Sequence, residues 1–362
     1  MNVLNIFYNF NQGGVERLGI TVANNMARNH ENSIHVCIIT KNYSSILLEK
    51  FSSNVKILFL KRSRLFRKLS YAAQISLYIK KNNIKIVHVH QGELMPLYVI
   101  VKLICPNIKL FFTIHDSYIF SELSKSNQFL AKLCCKKLIA ISEAVVKDIL
   151  ANGVNKEKIV RIYNGVDFSI FDSQEIHKSS NKDIVRITNV ARFFPKKKGQ
   201  DILIEAAKLL KEEKVNFVIT FAGAEPVGAE GEMERMKQLA KKHGLKNIEF
   251  LGNVDNVPAL LSKTDVFCIP SRYEGFGISA VEAMAMGIPC VASNIPGLNE
   301  VVNASELGEL FEVGNPESLA EKLKKVVLDF EKYNSQKIRE DAYNRFSIET
   351  MVKQLEAVYG GK

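Results

Sequence analysis

Short β-branched and aromatic runs alternate with longer stretches of helical spacing over the first 180 positions. VLNIFYNF, HVCIITK, VKILFL, IKIVHVH, KLFFTIHD and KKLIAIS read as strands. Between them, stretches such as 15–28 and 65–81 repeat apolar residues at three- and four-residue steps, which predicts helices. Around YNGVDFSIFDSQEIHKSSNKD the pattern loosens and turns polar, and a linker is expected at 179–183. The alternation then restarts. VRITNV, NFVITFAG, IEFLG, DVFCIP and PCVAS read as strands, 201–213, 230–243 and 278–286 as helices, and 316 to about 360 as mostly helical. Strand–helix alternation of this length implies βαβ units and parallel sheets. The expectation is an α/β chain of two Rossmann-like, doubly wound domains, 1–180 and 181–362, with packing of the last helix back on the first domain as an alternative. A ligand would sit in the cleft between them, beyond the carboxyl ends of the strands.

Composition narrows the setting. The 362 residues suffice for two cores, and 47% apolar with 24% charged residues is a globular balance. Six cysteines without a C-x-x-C pair lie mostly in apolar runs, so they read as small buried hydrophobes in a reducing compartment. MNVLNIFYNF lacks a basic n-region and a cleavage site and reads as a first strand. The most apolar stretch, 94–105, is broken by Lys102 and is short of the roughly 20 residues a bilayer span needs. A cytoplasmic protein is expected, attached at most to a membrane face. Residues 1–180 carry 24 Lys/Arg against 12 Asp/Glu, and residues 181–362 carry 25 against 26. The positive excess therefore sits in the first half, which suggests that this half meets something anionic.

The most specific segment is SRYEGFGISAVEAMAMGIPCVASNIPGLNE, positions 271–300, directly after a predicted strand. Gly275 and Gly277 at a strand-to-helix turn let backbone N–H groups approach a phosphate, and the helix dipole favours its charge. Glu274 at the lip is placed to accept from sugar hydroxyls. Glu282, eight positions on and about two turns into the helix, is placed to hold a ribose diol. Two carboxylates alone would read as surface groups; the glycines and the following strand favour a site.

Other strand ends carry candidate chemistry. RFFPKKKG, positions 192–199, places a cationic cluster where a diphosphate leaving group would gain charge, although a solvated basic loop has the same composition. NQGGVER, positions 11–17, is not a dinucleotide fingerprint, yet Gly13 and Gly14 open a backbone path toward phosphates or acceptor, or simply form a tight turn. His115-Asp116 closes a strand, and a lone histidine there is more often structural than catalytic. His88 and His90 alternate with valines, and one of them is a candidate to face the acceptor. Asn164-Gly165-Val166-Asp167 reads as turn geometry, and Glu300 as either a nucleotide contact or a helix cap.

Glu274 and Glu282 match the Glu-x7-Glu motif of retaining glycosyltransferases, and EGFGISAVEAMAMGIPCVAS resembles glycosyltransferase family 4, with the GT-B fold. The resemblance covers nearly the whole chain, is strongest in the second half and is weaker over 41–81. It implies that Glu274 touches the donor sugar and that Glu282 binds the ribose. It also implies that backbone amides across Gly275, Phe276, Gly277 and Ile278 hold the diphosphate. Arg192 and Lys198-Gly199 match the family's basic pair, with one extra residue that leaves Lys197 a competitor. Gly13-Gly14 resembles the loop facing the donor phosphates and Arg17 the basic residue after it. The T-x-H-D pattern places His115 beside the donor sugar. No D-x-D motif follows a strand in the second half, so no metal and no cofactor beyond the nucleotide-sugar substrate is implied. UDP is the favoured carrier and GDP an alternative. The acceptor implied is a glycan or a lipid-linked hydroxyl in bacterial surface-polysaccharide synthesis. A nucleotide-sugar epimerase of the same fold is the competing enzyme. A non-catalytic anion or nucleic-acid binder would need a basic stripe with interleaved aromatics in place of the phosphate turn, so no nucleic-acid partner is expected. KRSRLFRKLSYAAQISLYIKKNNIK, positions 61–85, clusters basic residues at both ends. Leu65, Leu69, Ala72, Ala73, Ser76 and Ile79 are the expected core stripe, and the basic end a peripheral contact with an anionic membrane.

Overall fold

The computed structural model describes residues 1–11, 13–60, 67–172, 184–303 and 305–361. It contains two compact units, Met1–Val166 with Ile348–Lys362, and Asp167–Ser347.

The first unit is built on seven parallel strands. They are β1 (Asn2–Phe7), β2 (Ser33–Ile38), β3 (Val55–Phe59), β4 (Ile86–Val89), β5 (Lys109–Ile114), β6 (Lys137–Ala140) and β7 (Ile159–Arg161), in spatial order β3-β2-β1-β4-β5-β6-β7. The central strands are buried along nearly their whole length, as helices on both faces of a parallel sheet require. Beyond a long excursion, the helix Ile348–Gly360 returns to this unit and buries Ile348, Met351, Leu355 and Tyr359 beside Val3, Phe111 and the helix Gly14–Ala27. Each such side chain, fully buried, contributes about 1.5–3 kcal/mol.

The second unit has six parallel strands. They are β8 (Val185–Val190), β9 (Phe217–Ala222), β10 (Ile248–Gly252), β11 (Val266–Ile269), β12 (Cys290–Ser293) and β13 (Gly308–Phe311), in order β10-β9-β8-β11-β12-β13. In both sheets the strand order reverses beside the first strand, between β1 and β4 and between β8 and β11. Loops leaving the two strands diverge there and open a crevice at the carboxyl edge.

Three sequence expectations meet differences. The linker at 179–183 lies outside the described residues, and the compact division falls at Val166/Asp167, ahead of the expected 180/181. Residues after Asp167 turn into the second unit: the Phe168 ring meets Tyr343 edge-on at 5.3 Å, Arg339 lies over the same ring, and Arg339 pairs with Asp172. Strands β7 and β13 were not expected. One has only three residues, and GELF lacks a β-branched run. In the helix Arg67–Lys81 the sheet-facing stripe is Ala72, Ile75, Ser76 and Ile79, whereas Leu69 and Ala73 face solvent. Leu65 and the basic residues Lys61, Arg62 and Arg64 lie outside the described residues. No helix among the described residues is long and apolar enough to cross a membrane.

Candidate active site

In the second unit the crevice forms between the loops leaving β8 and β11. Asn189 near the end of β8 donates to the Cys268 carbonyl at 2.9 Å and ties the two strands together. After exposed Arg192 the chain makes one helical turn, Pro195–Lys198, with proline at its first position. Gly199 ends it in the left-handed region, φ +68°, and a Cβ there would lie 1.9 Å from the Pro270 carbonyl oxygen. Only glycine permits this approach of the β8 loop to the β11 exit.

That approach brings the cationic segment against the glutamate segment. The Lys197 carbonyl accepts the Arg272 N–H at 2.9 Å. The Arg272 guanidinium grips Asp201 through two bonds of 2.8 Å and donates to the Pro195 carbonyl at 2.9 Å. Bidentate geometry fixes the loop more firmly than a single ion pair would. Held this way, the Lys198 ammonium meets the Glu274 carboxylate, which also accepts from the Ser271 hydroxyl at 3.4 Å. Both partners of the ion pair are mostly buried. Gly275, Phe276 and Gly277 follow, all buried, with Phe276 edge-on to Phe346 at 5.4 Å. Gly277, at φ +92°, starts the helix Ile278–Ala285 and supplies no side-chain cap, so first-turn amides face the same loop. Half-buried Glu282 sits further along this helix. Lys197 is half-buried beside Lys198, and the Lys198 ammonium pairs with Glu274. Half-buried Glu300 lies on the short helix after β12, and its carbonyl accepts from Arg345.

In the first unit the crevice between β1 and β4 is bridged by Gln91, whose Oε1 accepts the Tyr8 N–H at 3.1 Å. Gly13 caps the helix Gly14–Ala27 without a side-chain bond, and Arg17 on its first turn is exposed. Histidines line the neighbouring strand ends. His90 Nδ1 and His115 Nε2 are 2.9 Å apart, and the His90 ring stacks on Phe7 at 4.4 Å. His88 turns inward: Nδ1 meets the Tyr359 hydroxyl and Nε2 the Thr113 hydroxyl, each at 2.6 Å. Burial pushes the His88 pKa down to about 3, reinforced by His115, and pushes His115 down to about 4 against the opposing pull of Asp116. His90 is held well below the ordinary histidine range by burial, then by His88 and His115. The cluster is therefore neutral at pH 7, with His115 at its outer end. No group of three or more His, Cys, Asp or Glu among the described residues could hold a metal ion.

The structure thus brings Arg192, Lys198, Glu274 and the 275–278 turn to one strand edge. It brings Gly13, Gly14, Arg17 and His115 to the equivalent edge of the other unit. Sequence reasoning missed Asp201, Arg272 and Gln91. Arg272 stood inside the quoted segment, but its partner lies 71 positions away, with no local signal.

Comparison with known proteins completes the picture. Residues 12–170 match the family described as Glycosyltransferase Family 4, and residues 171–345 match Glycosyl transferases group 1. The chain is 27% identical over 308 residues to N-acetyl-alpha-D-glucosaminyl L-malate synthase of Bacillus anthracis, covering 80% of this chain and 78% of that protein. It is 26% identical to the capsular polysaccharide biosynthesis glycosyltransferase CapH of Staphylococcus aureus, covering 100% and 99%. The crystal structure of Anabaena HepE in complex with UDP superposes with a TM-score of 0.86 over 100% of both chains at 21% identity, which shows a shared fold.

Proposed function

Because this chain belongs to glycosyltransferase family 4, we propose that it transfers a hexose from a nucleotide diphosphate, with retention at the anomeric carbon, to a hydroxyl of a glycan or lipid-linked acceptor in bacterial surface-polysaccharide synthesis. The observation that carries the reading is the Lys198–Glu274 pair held beside the glycine-started helix at the β8/β11 crevice. A diphosphate there would meet the Lys198 ammonium, Arg192 and the first-turn amides, which are already oriented and need no reorganisation as the leaving group gains charge. Glu274 would accept from sugar hydroxyls, and Glu282 from the ribose. Among the described residues no separate carboxylate is recognised as a nucleophile, which favours front-face transfer. In that step the bond from C1 to the diphosphate oxygen breaks, and the acceptor oxygen bonds to C1 on the same face. The acceptor proton passes to the departing phosphate oxygen. The relatives' capsular role supports a surface-polysaccharide acceptor, and UDP in a structural neighbour supports a UDP-sugar. No cofactor is needed for such a step.

A panel of UDP- and GDP-sugars tests this by thermal shift and by release of nucleotide diphosphate. A donor at 100 times its Kd should stabilise the fold by about 2.7 kcal/mol, and NMR of the product should show the donor's anomeric configuration. Inverted product would refute retention. Interconversion of the free nucleotide sugar without transfer would mark an epimerase.

A further inference from the structure

Three helices lie side by side on one face of the first sheet: Arg67–Lys81, Met95–Ile104 and Lys125–Cys134, the first packed on the second and the second on the third. Right-handed crossovers place them there, because the connections into β4, β5 and β6 all step across the sheet in the same direction. Their outward sides are unusual. Leu69, Leu77, Leu103, Phe129 and Leu133 each leave more than half of their surface in water. Leu69, Ala73 and Leu77 follow one another at four-residue steps, as do Phe129 and Leu133, so the first and third helices each show an apolar ridge opposite the one they bury, and Leu103 stands exposed on the helix between them. The three helices contain seven Lys or Arg and not one Asp or Glu. The next helix along, Glu143–Ala151, is ordinary: Glu143 and Lys147 are exposed together. At the carboxyl ends of the first two helices an open pocket of about 280 Å³ has the exposed Lys80 and Lys85 in its lining.

We propose that this three-helix face docks on an anionic phospholipid surface, with the leucines and Phe129 entering the boundary between headgroups and acyl chains and the lysines holding the phosphates. Charge selects this occupant. A second copy would set one mainly positive face against another, whereas apolar ridges framed by lysines, with the acidic Glu93 and Glu122 set at the amino-terminal approaches to the second and third helices, match a bilayer that is anionic outside and apolar beneath. The pocket between Lys80 and Lys85 is placed to take a single headgroup phosphate. Expected from sequence at residues 61–85 alone, membrane contact becomes a surface shared by three helices that are distant in the chain. Vesicle binding is read without donor or acceptor, so its outcome is separate from that of the transfer reading.

The chain contains no tryptophan, which makes a direct test available. Leu77→Trp and Leu328→Trp each place one reporter at an exposed site, the first on this face and the second in the other unit. Vesicles of phosphatidylcholine mixed with phosphatidylglycerol should shift the Leu77→Trp emission to the blue and leave Leu328→Trp unchanged; pure phosphatidylcholine should shift neither. Each near-surface lysine is worth about five-fold in partitioning. Replacing Lys68, Lys80, Lys81 and Lys125 with Ser should therefore lower flotation on the order of several hundred-fold, and high salt should mimic it. The set Leu69→Ser, Leu77→Ser, Leu103→Ser and Leu133→Ser should lose the salt-resistant remainder with little change in thermal unfolding, since these side chains are more than half exposed. No blue shift on the mixed vesicles, or equal shifts on both compositions, would overturn the proposal. So would sedimentation showing a dimer that the leucine set converts to monomer, which would assign the face to a second copy.

Discussion

The two units repeat one topological device with opposite chemistry. Each sheet reverses its strand order beside its first strand and opens a crevice there. The first unit carries 25 Lys/Arg against 11 Asp/Glu over its residues, the second 24 against 27. Yet the unit with the positive excess lines its crevice with neutral histidines, and the nearly balanced unit concentrates cations there. Overall charge and site charge are thus separable. The excess of the first unit is spread over helix surfaces, whereas Lys198 is held in place by the loop that Asp201, Arg272 and Gly199 fix. A shared fold supplies the crevice, and the side chains at its rim decide what it does.

Substitutions can break this comparison at its sharpest point. Gly199→Ala should produce the largest effect, because its Cβ would meet the Pro270 carbonyl at 1.9 Å in a backbone region that disfavours side chains. A loss on the order of 4 kcal/mol or more is expected in the second unit, and a thermal midpoint near wild type would show that the loop has another way to close. Lys198→Ala should lower turnover by on the order of 100-fold or more, and Lys197→Ala far less. The reverse ranking would move the role by one position. Glu282→Gln should raise the Kd for nucleotide diphosphate by about ten-fold, the cost of one charged hydrogen bond, while Glu274→Gln lowers turnover with little change in that Kd. Calorimetry with the diphosphate alone separates them.

Acid should distinguish the units as well. His35, His88 and His115 all belong to the first unit, with pKa values lowered to about 4, 3 and 4, chiefly by burial. A folded pKa below the unfolded one means stability that is complete above the ordinary histidine range and lost as pH falls toward the folded values. Amide exchange at stepped pH should show the first unit opening first between about pH 6 and pH 4. The smallest stability effect is expected at Gly14→Ala, where a Cβ meets nothing within 4 Å and a helix start gains a better former. Unchanged stability with lost activity would mean that a ligand approaches that backbone.

Much of this was legible from sequence because it is local. VRITNV and IEFLG appear as strands β8 and β10 with the predicted bounds, and the glycines around Glu274 fall at the predicted turn. What was not legible depends on pairing across distance. Nothing near Asp201 announces Arg272, and nothing near His90 announces its bond to His115, which needs β4 and β5 to be neighbours in register. The helix Arg67–Lys81 failed for another reason. With apolar residues on two sides, its periodicity fits either stripe facing the sheet, and only packing chooses.

The way Ile348–Gly360 closes the first unit also sets a birth order. Gly165 lies so close to Ile348 that a Cβ would stand 2.8 Å from that residue's Cα, and the Ile348 N–H donates to the Val166 carbonyl at 2.8 Å. Tyr359, further along the same helix, caps the inward His88. A ribosome that has delivered Met1–Val166 has therefore delivered a core with one helix missing, and all of Asp167–Ser347 must emerge before that helix can. Nascent chains ordinarily finish their leading domain first. Here the trailing unit can finish while the leading one waits. Proteolysis of chains arrested after Ser347 should find Asp167–Ser347 resistant and Met1–Val166 open to cleavage. On that outcome the half that is made first is the last to mature.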